Sequence, residues 1–228
     1  MTSKGHAEGR KGKIKVLLVD DHPIVRQGLA ELIRQEIDMV VCGDAEDAPG
    51  ALKAIAELNP DIVVADLTLR ETSGLDLIKD VRIRHPQLPV LVLSMHDEAF
   101  YAERALRAGA RGYVMKEDAT EKVLTAIRRI VRGEIYLSDK IASRMLDKLV
   151  RGTTQSAEFP VQQLSDRELE VFELIGQGQG TRQIAERLHL STKTIESHRE
   201  NIKRKLKLEN AVELLQQAIQ WVQSERPS

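Results

Sequence analysis

The sequence holds a single cysteine, Cys42. One thiol can form no disulfide within the chain and cannot build a cysteine cluster for zinc or iron–sulfur. It lies in the apolar run MVVCG, where a buried structural thiol is expected. No charge of one sign dominates, since 34 Lys and Arg stand against 35 Asp and Glu. That excludes a uniformly basic nucleic-acid binder and leaves room for a local basic patch. No apolar run approaches the ~18 residues of a membrane span. The opening MTSKGHAEGRKGK lacks the apolar core of a signal peptide. The histidines at 6, 22, 85, 96, 189 and 198 show no metal-ligand spacing, and none looks catalytic. No internal repeat or low-complexity tract is present. A cytoplasmic protein with a flexible tail over 1–13 and no membrane partner is expected.

What is present is an alternation. From 14 to 133 short apolar runs (KVLLVD, MVVCGDA, DIVVADL, VLVLSM, RGYVMK) are separated by stretches of helical periodicity. Runs rich in Val, Ile and Leu between helices argue for a parallel sheet covered on both faces. Five such units predict a doubly wound α/β domain of the flavodoxin-like kind, with a five-stranded parallel sheet. Pro23 suits a first helical turn, and Asp118 with Glu121 matches a capping box.

After 133 the pattern changes. A short helix is expected from about Ser138 to Val150, inside a linker over 134–160 whose stretch RGTTQSAEFPVQQ is polar and contains proline. From 161 to 228 only helical periodicity remains, which predicts a small all-helical domain of four helices. Ser165 and Glu168 form a capping box, with Leu164 and Leu169 as a hydrophobic staple. Thr181 is the expected N-cap of the second helix. Ser191 starts the third, with Leu190 and Ile195 as its staple.

In a parallel doubly wound sheet, ligands gather beyond the C-terminal ends of the strands. The first strand ends at Asp20 and Asp21, the third at Asp66, the fourth at Ser94 and the fifth at Lys116. Three carboxylates, a hydroxyl and an ammonium should therefore converge. Such carboxylates suit a hard, oxygen-seeking cation, here Mg²⁺, which balances the charge of a phosphoryl group. A carboxylate beside it can act as nucleophile, while Lys116 and Ser94 bind phosphoryl oxygens.

The order Asp-Asp, Asp, Ser, Lys resembles the receiver domain of bacterial two-component response regulators. The resemblance implies that Asp66 accepts a phosphoryl group from a phosphohistidine on a sensor histidine kinase. It implies Ser94 as the switch hydroxyl, and Tyr113, three residues before the lysine, as the switch aromatic. Of the acidic pair, Asp21 would ligate Mg²⁺ directly and Asp20 through water, with the Thr68 carbonyl and Asp66 completing the set. Arg70 stands where the family usually has proline, a departure that bears on phosphoryl lifetime. Glu117 follows Lys116 where many receivers carry proline.

The stretch STKTIESHRENIKRKLKL has two faces. Ile195, Ile202 and Leu206, with His198, should pack inward, while Thr192, Glu196, Arg199, Glu200 and Lys203 face outward. From 191 to 207 six basic residues (Lys193, Arg199, Lys203, Arg204, Lys205, Lys207) outnumber two acidic ones, an electrostatic footprint for a phosphate backbone. With the preceding TRQIAERLHLS this makes a helix-turn-helix. Residues 161 to 222 resemble the LuxR-type helix-turn-helix of the NarL/FixJ subfamily, whose third helix enters the major groove. The resemblance places Glu196 and Ser197 at base edges, where glutamate can accept from cytosine N4. It places Lys193, Arg199 and Lys203 at phosphates.

Together these imply a transcription factor that is not an enzyme. Phosphorylation would promote homodimers on two-fold half-sites of promoter double-stranded DNA, with RNA polymerase as a further partner. An aspartate-nucleophile phosphohydrolase would need a second Asp two residues after its nucleophile on the first strand, plus a cap insertion, and has neither here. A phosphorylation-independent DNA binder with a structural receiver is the other alternative.

Overall fold

The computed structural model describes residues 12–69, 73–151 and 160–225. Residues 1–11 of the expected tail over 1–13, Arg70 and the linker stretch 152–159 lie outside the described residues. The first unit runs β1 (Ile14–Val19), α1 (Pro23–Arg34), β2 (Met39–Ala45), α2 (Ala48–Leu58), β3 (Ile62–Ala65), α3 (Gly74–Arg84), β4 (Val90–Ser94), α4 (Glu98–Ala108), β5 (Gly112–Met115) and α5 (Ala119–Val131). Its five strands are parallel in the order β2-β1-β3-β4-β5. The order reverses at β1, which opens a crevice between the ends of β1 and β3.

The apolar runs are buried on both faces, as their composition demands. One face (Val16, Leu18, Ile62, Val64, Leu91) packs on α1 and α5 through Leu29, Ile33, Val123, Ile127 and Ile130. The other (Leu17, Val19, Val63, Ala65, Val92) packs on α2, α3 and α4. Tyr136 then adds to the sheet edge, its amide donating to the Arg111 carbonyl at 3.0 Å.

The helical part comprises α6 (Asp139–Arg151), α7 (Asp166–Gly176), α8 (Thr181–Arg187), α9 (Thr192–Leu206) and α10 (Ala211–Glu225). Phe172, Ile184, Ile195, Ile202, Leu214 and Ala218 form its interior. This interior is continuous with the core on the α2–α3–α4 side of the sheet, so the two units are packed together. Among the described residues no helix is long and apolar enough to cross a membrane.

Several local expectations hold. The capping box forms at Ser165, with Ser165 N donating to Glu168 Oε2 at 2.7 Å, and Ser191 caps α9 by accepting from Thr194 N at 3.0 Å. Three do not. Asp118 stands at the N-cap position of α5 but forms no capping box, because a short 3₁₀ turn over Lys116–Asp118 precedes the helix and its carboxylate instead takes Lys122 Nζ at 2.8 Å. Thr181 is the first residue of α8, not its cap. Gly180 caps, and its amide donates to Gln183 Oε1 at 2.9 Å. Cys42 is half-buried and reaches the Val16 carbonyl at 3.4 Å, because β2 is an edge strand.

Candidate functional site

Strand pairing brings the acidic residues together. Asp20 N donates to Ala45 O at 3.1 Å and Asp66 N to Val19 O at 2.8 Å, so both residues leave the sheet at the same level. Asp66 is 3% exposed, Asp20 3% and Asp21 5%. Lys116 Nζ bridges two of them, 2.7 Å from Asp66 Oδ2 and 2.7 Å from Asp20 Oδ2. Asp66 Oδ1 accepts from Leu67 N at 2.6 Å. Ser94 is fully buried at the end of β4, where its Oγ accepts from His96 N at 3.2 Å. Tyr113 is also buried, and its hydroxyl donates to the His96 carbonyl at 2.8 Å.

Electrostatics explain what this crowding costs. Burial pushes the Asp66 carboxyl up, Asp20 adds to that, and Lys116 opposes it, with a net upward result. Burial works against the Lys116 ammonium, but Asp66 and Asp20 outweigh it and hold the ammonium above its ordinary value. One carboxylate oxygen each from Asp20, Asp21 and Asp66, with a ring nitrogen of His22, lie within 4.8 Å of one another. Asp21 Oδ1 is buried and accepts no hydrogen bond, though it stands in an ion pair 2.7 Å from His22 Nδ1. Three buried carboxylates this close, one oxygen of which accepts no hydrogen bond, fit a hard divalent cation.

On α9 the two faces separate as the periodicity demands. Ile195, Ile202 and Leu206 are buried, and His198 is half-buried. Thr192, Lys193, Glu196, Ser197 and Glu200 are exposed, and Arg199 and Lys203 partly so. Lys203 Nζ lies 2.9 Å from Glu200 Oε1. Lys205 does not join the basic surface, for it points inward to the buried Glu168 carboxylate at 2.6 Å.

Comparison with known proteins agrees with both halves. The family of the response regulator receiver domain matches residues 16–128, and the family of bacterial regulatory proteins, luxR family, matches 162–218. The chain is 34% identical to the oxygen regulatory protein NreC of Staphylococcus carnosus over 210 residues, covering 90% of this chain and 97% of that protein. The chain belongs to the response regulators. It is a DNA-binding transcriptional regulator controlled through its receiver, with the receiver fold at its N-terminal side and a LuxR-type unit at the other. Among solved structures, a LuxR-family response regulator from Aurantimonas sp. SI85-9A1 is 35% identical, with a TM-score of 0.57 over 61% of this chain and 99% of that one. RcsB of Salmonella enterica serovar Typhimurium, bound to promoter rprA in the presence of phosphomimetic BeF3−, is 27% identical with a TM-score of 0.57, covering 90% and 98%. A further RcsB structure holds two dimers on two parallel DNAs, at 27% identity, a TM-score of 0.55 and coverage of 95% and 100%.

The geometry of this response regulator also corrects the sequence reading. His22, which showed no ligand spacing, stands beside the acidic cluster. His96, equally silent in the sequence, is buried and held by residues of the DNA-binding unit. Its Nδ1 lies 3.1 Å from Glu173 Oε2 and its Nε2 3.4 Å from Glu170 Oε1. Thr68 Oγ1, besides lying 3.0 Å from His96 Nε2, donates to Glu170 Oε1 at 2.9 Å. Nothing in the sequence could signal these pairs, because they join residues 102 and 77 positions apart. Burial alone would lower the His96 imidazole, but Glu170 and Glu173 overcome that and raise it to about 10. Burial would raise Glu170, yet His96 and Arg167 bring it down to about 2.

Proposed function

We propose that this response regulator receives its phosphoryl group on Asp66 from a sensor histidine kinase, with Mg²⁺ at the acidic cluster. The observation that carries the reading is Lys116 bridging Asp66 and Asp20 at 2.7 Å, beside an Asp21 oxygen without a hydrogen-bond partner. Asp20, Asp21, Asp66 and the Thr68 carbonyl would hold the ion, which offsets the negative charge of the incoming phosphoryl group. Asp66 attacks phosphorus, the bond from phosphorus to the imidazole nitrogen of the donor breaks, and the imidazole leaves with its electron pair and takes up a proton. Lys116 and Ser94 bind the phosphoryl oxygens, and Tyr113 follows Ser94 as the switch aromatic. The chain is then an acceptor with at most slow self-dephosphorylation, not a turnover enzyme. It acts in the cytoplasm, pairs into homodimers on promoter double-stranded DNA, and has RNA polymerase within reach there. Incubation with phosphoramidate and Mg²⁺ should add one phosphoryl group that maps to Asp66, and Asp21→Ala should lose most of the Mg²⁺ dependence. A phosphoryl group mapped elsewhere would refute the assignment.

The DNA reading rests on the exposed face of α9. Arg199→Ala and Lys203→Ala should weaken binding alike on all sequences and reduce the salt slope by roughly one unit for each phosphate no longer neutralised. Glu196→Ala should change base preference at one position in each half-site while leaving the salt slope intact, which a binding-site selection reads directly. Thr192, Lys193, Ser197 and Glu200 complete the surface that would face the groove.

A further inference from the structure

We propose that the cleft bordered by α3, α4, α6 and α10 binds a nucleoside di- or triphosphate. The base lies against Phe100 and Trp221, and the phosphates lie at Arg82 and Arg107. The cleft shares no lining residue with the acidic crevice, so the inference is independent of the role of Asp66.

The cavity holds about 710 Å³ and is lined by residues of both units. Small-molecule sites fall in the range of ~300–1,000 Å³ and concentrate at domain boundaries. Its apolar wall is aromatic. Phe100 of α4 and Trp221 of α10 stand with ring centroids 4.2 Å apart, and Phe172 of α7 backs Trp221 at 5.6 Å. Trp221 is thereby fixed by a ring from each unit. Rings held in place in this way form a platform for a further flat ring, and every nucleobase presents such a face.

The opposite side of the cleft is cationic. Lys79, Arg82, Arg104, Arg107 and Arg144 line it against two carboxylates, Glu103 and Asp166, on a chain whose charges otherwise balance. Two of the cations build the wall. Arg104 donates to Leu164 O at 3.0 Å and Val161 O at 3.2 Å and pairs with Asp166 at 3.0 Å, and Lys79 shares Asp166 at 3.1 Å. Arg82 is placed differently. Its stem lies over Gly109, where an added Cβ would fall 2.7 Å from Arg82 Cδ. Its guanidinium donates to the Arg107 carbonyl at 2.9 Å and has no carboxylate partner among the described residues. Arg107 is exposed, and its pair with Glu103 is a surface one, which a phosphate replaces at small cost.

The ligand class follows from the two walls together. A surplus of several positive charges suits a multiply charged anion better than a monocarboxylate, and the planar fork of arginine matches phosphate oxygens. The aromatic wall asks for a flat body on the same molecule. A nucleoside di- or triphosphate carries both, whereas pyrophosphate lacks the body and a nucleoside lacks the charge. Bound there, it gives the regulator an input from the nucleotide pool besides the one at Asp66. Trp221 is the one tryptophan of the chain and lines the cleft, so its emission reports occupancy directly.

The test titrates the full chain with ADP, ATP, adenosine and pyrophosphate, following Trp221 emission and, for all four, calorimetric binding. ADP and ATP should quench Trp221 to saturation, more weakly as salt rises, and should raise the melting temperature. Adenosine and pyrophosphate should each bind about tenfold more weakly or worse. Arg82→Gln/Arg107→Gln changes two exposed side chains, and unchanged helical circular dichroism checks its fold. It should raise the Kd for ADP about tenfold or more and leave that for adenosine as it is. Phe100→Leu should do the reverse, weakening adenosine and sparing pyrophosphate. No saturable quenching by ADP or ATP would overturn the site. ADP binding that ignores the two arginines would place the ligand elsewhere, on the basic face of α9 for instance, and overturn it equally. Pyrophosphate binding as tightly as ADP would overturn the nucleoside half of the assignment.

Discussion

Asp66→Asn should take up no phosphoryl group from phosphoramidate and Mg²⁺, and its DNA affinity and sedimentation should no longer respond to the donor. The amide is nearly isosteric, so the β3–α3 loop keeps its shape, but the nucleophilic oxygen is gone. Stability should move the other way. The Asp66 carboxyl has its folded-state pKa raised, mainly by burial. A carboxyl raised in this way contributes stability that is present below its unfolded value and lost as pH rises through the folded one. At neutral pH the buried carboxylate is therefore a cost to folding, which Asp66→Asn removes. Thermal melting in the absence of divalent cations should show the variant at least as stable as the wild type. A lower melting temperature would mean that the Lys116 contact outweighs the desolvation of Asp66.

Gly74→Ala should damage the same site without touching its chemistry. Gly74 begins α3 and donates its amide to Leu67 O at 2.7 Å, which folds the acceptor loop back on itself. A Cβ added there would fall 2.1 Å from the Asp66 carbonyl oxygen and 2.7 Å from Leu67 Cα. These are backbone atoms, which cannot swing aside as a side chain does. Relief requires moving the loop that carries Asp66, at about 3 kcal/mol or more of receiver stability. A displacement on the order of 1 Å also misaligns an in-line attack, so phosphorylation should slow more than tenfold, by up to ~10². Denaturant unfolding and the initial rate with phosphoramidate measure the two effects separately. Wild-type values for both would show that the loop has room the geometry denies it.

How much of this was legible in the sequence divides along a physical line. Local order was legible: apolar runs of period and length suited to buried strands, the capping box at Ser165, the cap at Ser191, and the inward stripe Ile195, Ile202 and Leu206. Each depends on residues a few positions apart, where backbone geometry alone decides which side chains meet. The strand-end set Asp20, Asp21, Asp66, Ser94 and Lys116 was legible for a related reason. Parallel strands all end on one side of a sheet, so position along the chain converts into position in space. The missing cap bond at Asp118 and the displaced cap at Thr181 mark where that logic stops. A side chain with two partners in reach takes the better one, as Asp118 takes Lys122.

The sequence by itself therefore determined a receiver sheet with its acidic crevice and a helix-turn-helix with a basic outer face. Only the tertiary structure decided how the two units meet: that α7 rests on the loops after β3 and β4, that His96 is held between Glu170 and Glu173, and that Lys205 is spent inside on Glu168. Such contacts join distant parts of the chain without any repeating pattern. They depend on the space left once both cores have packed, and no local rule contains that information.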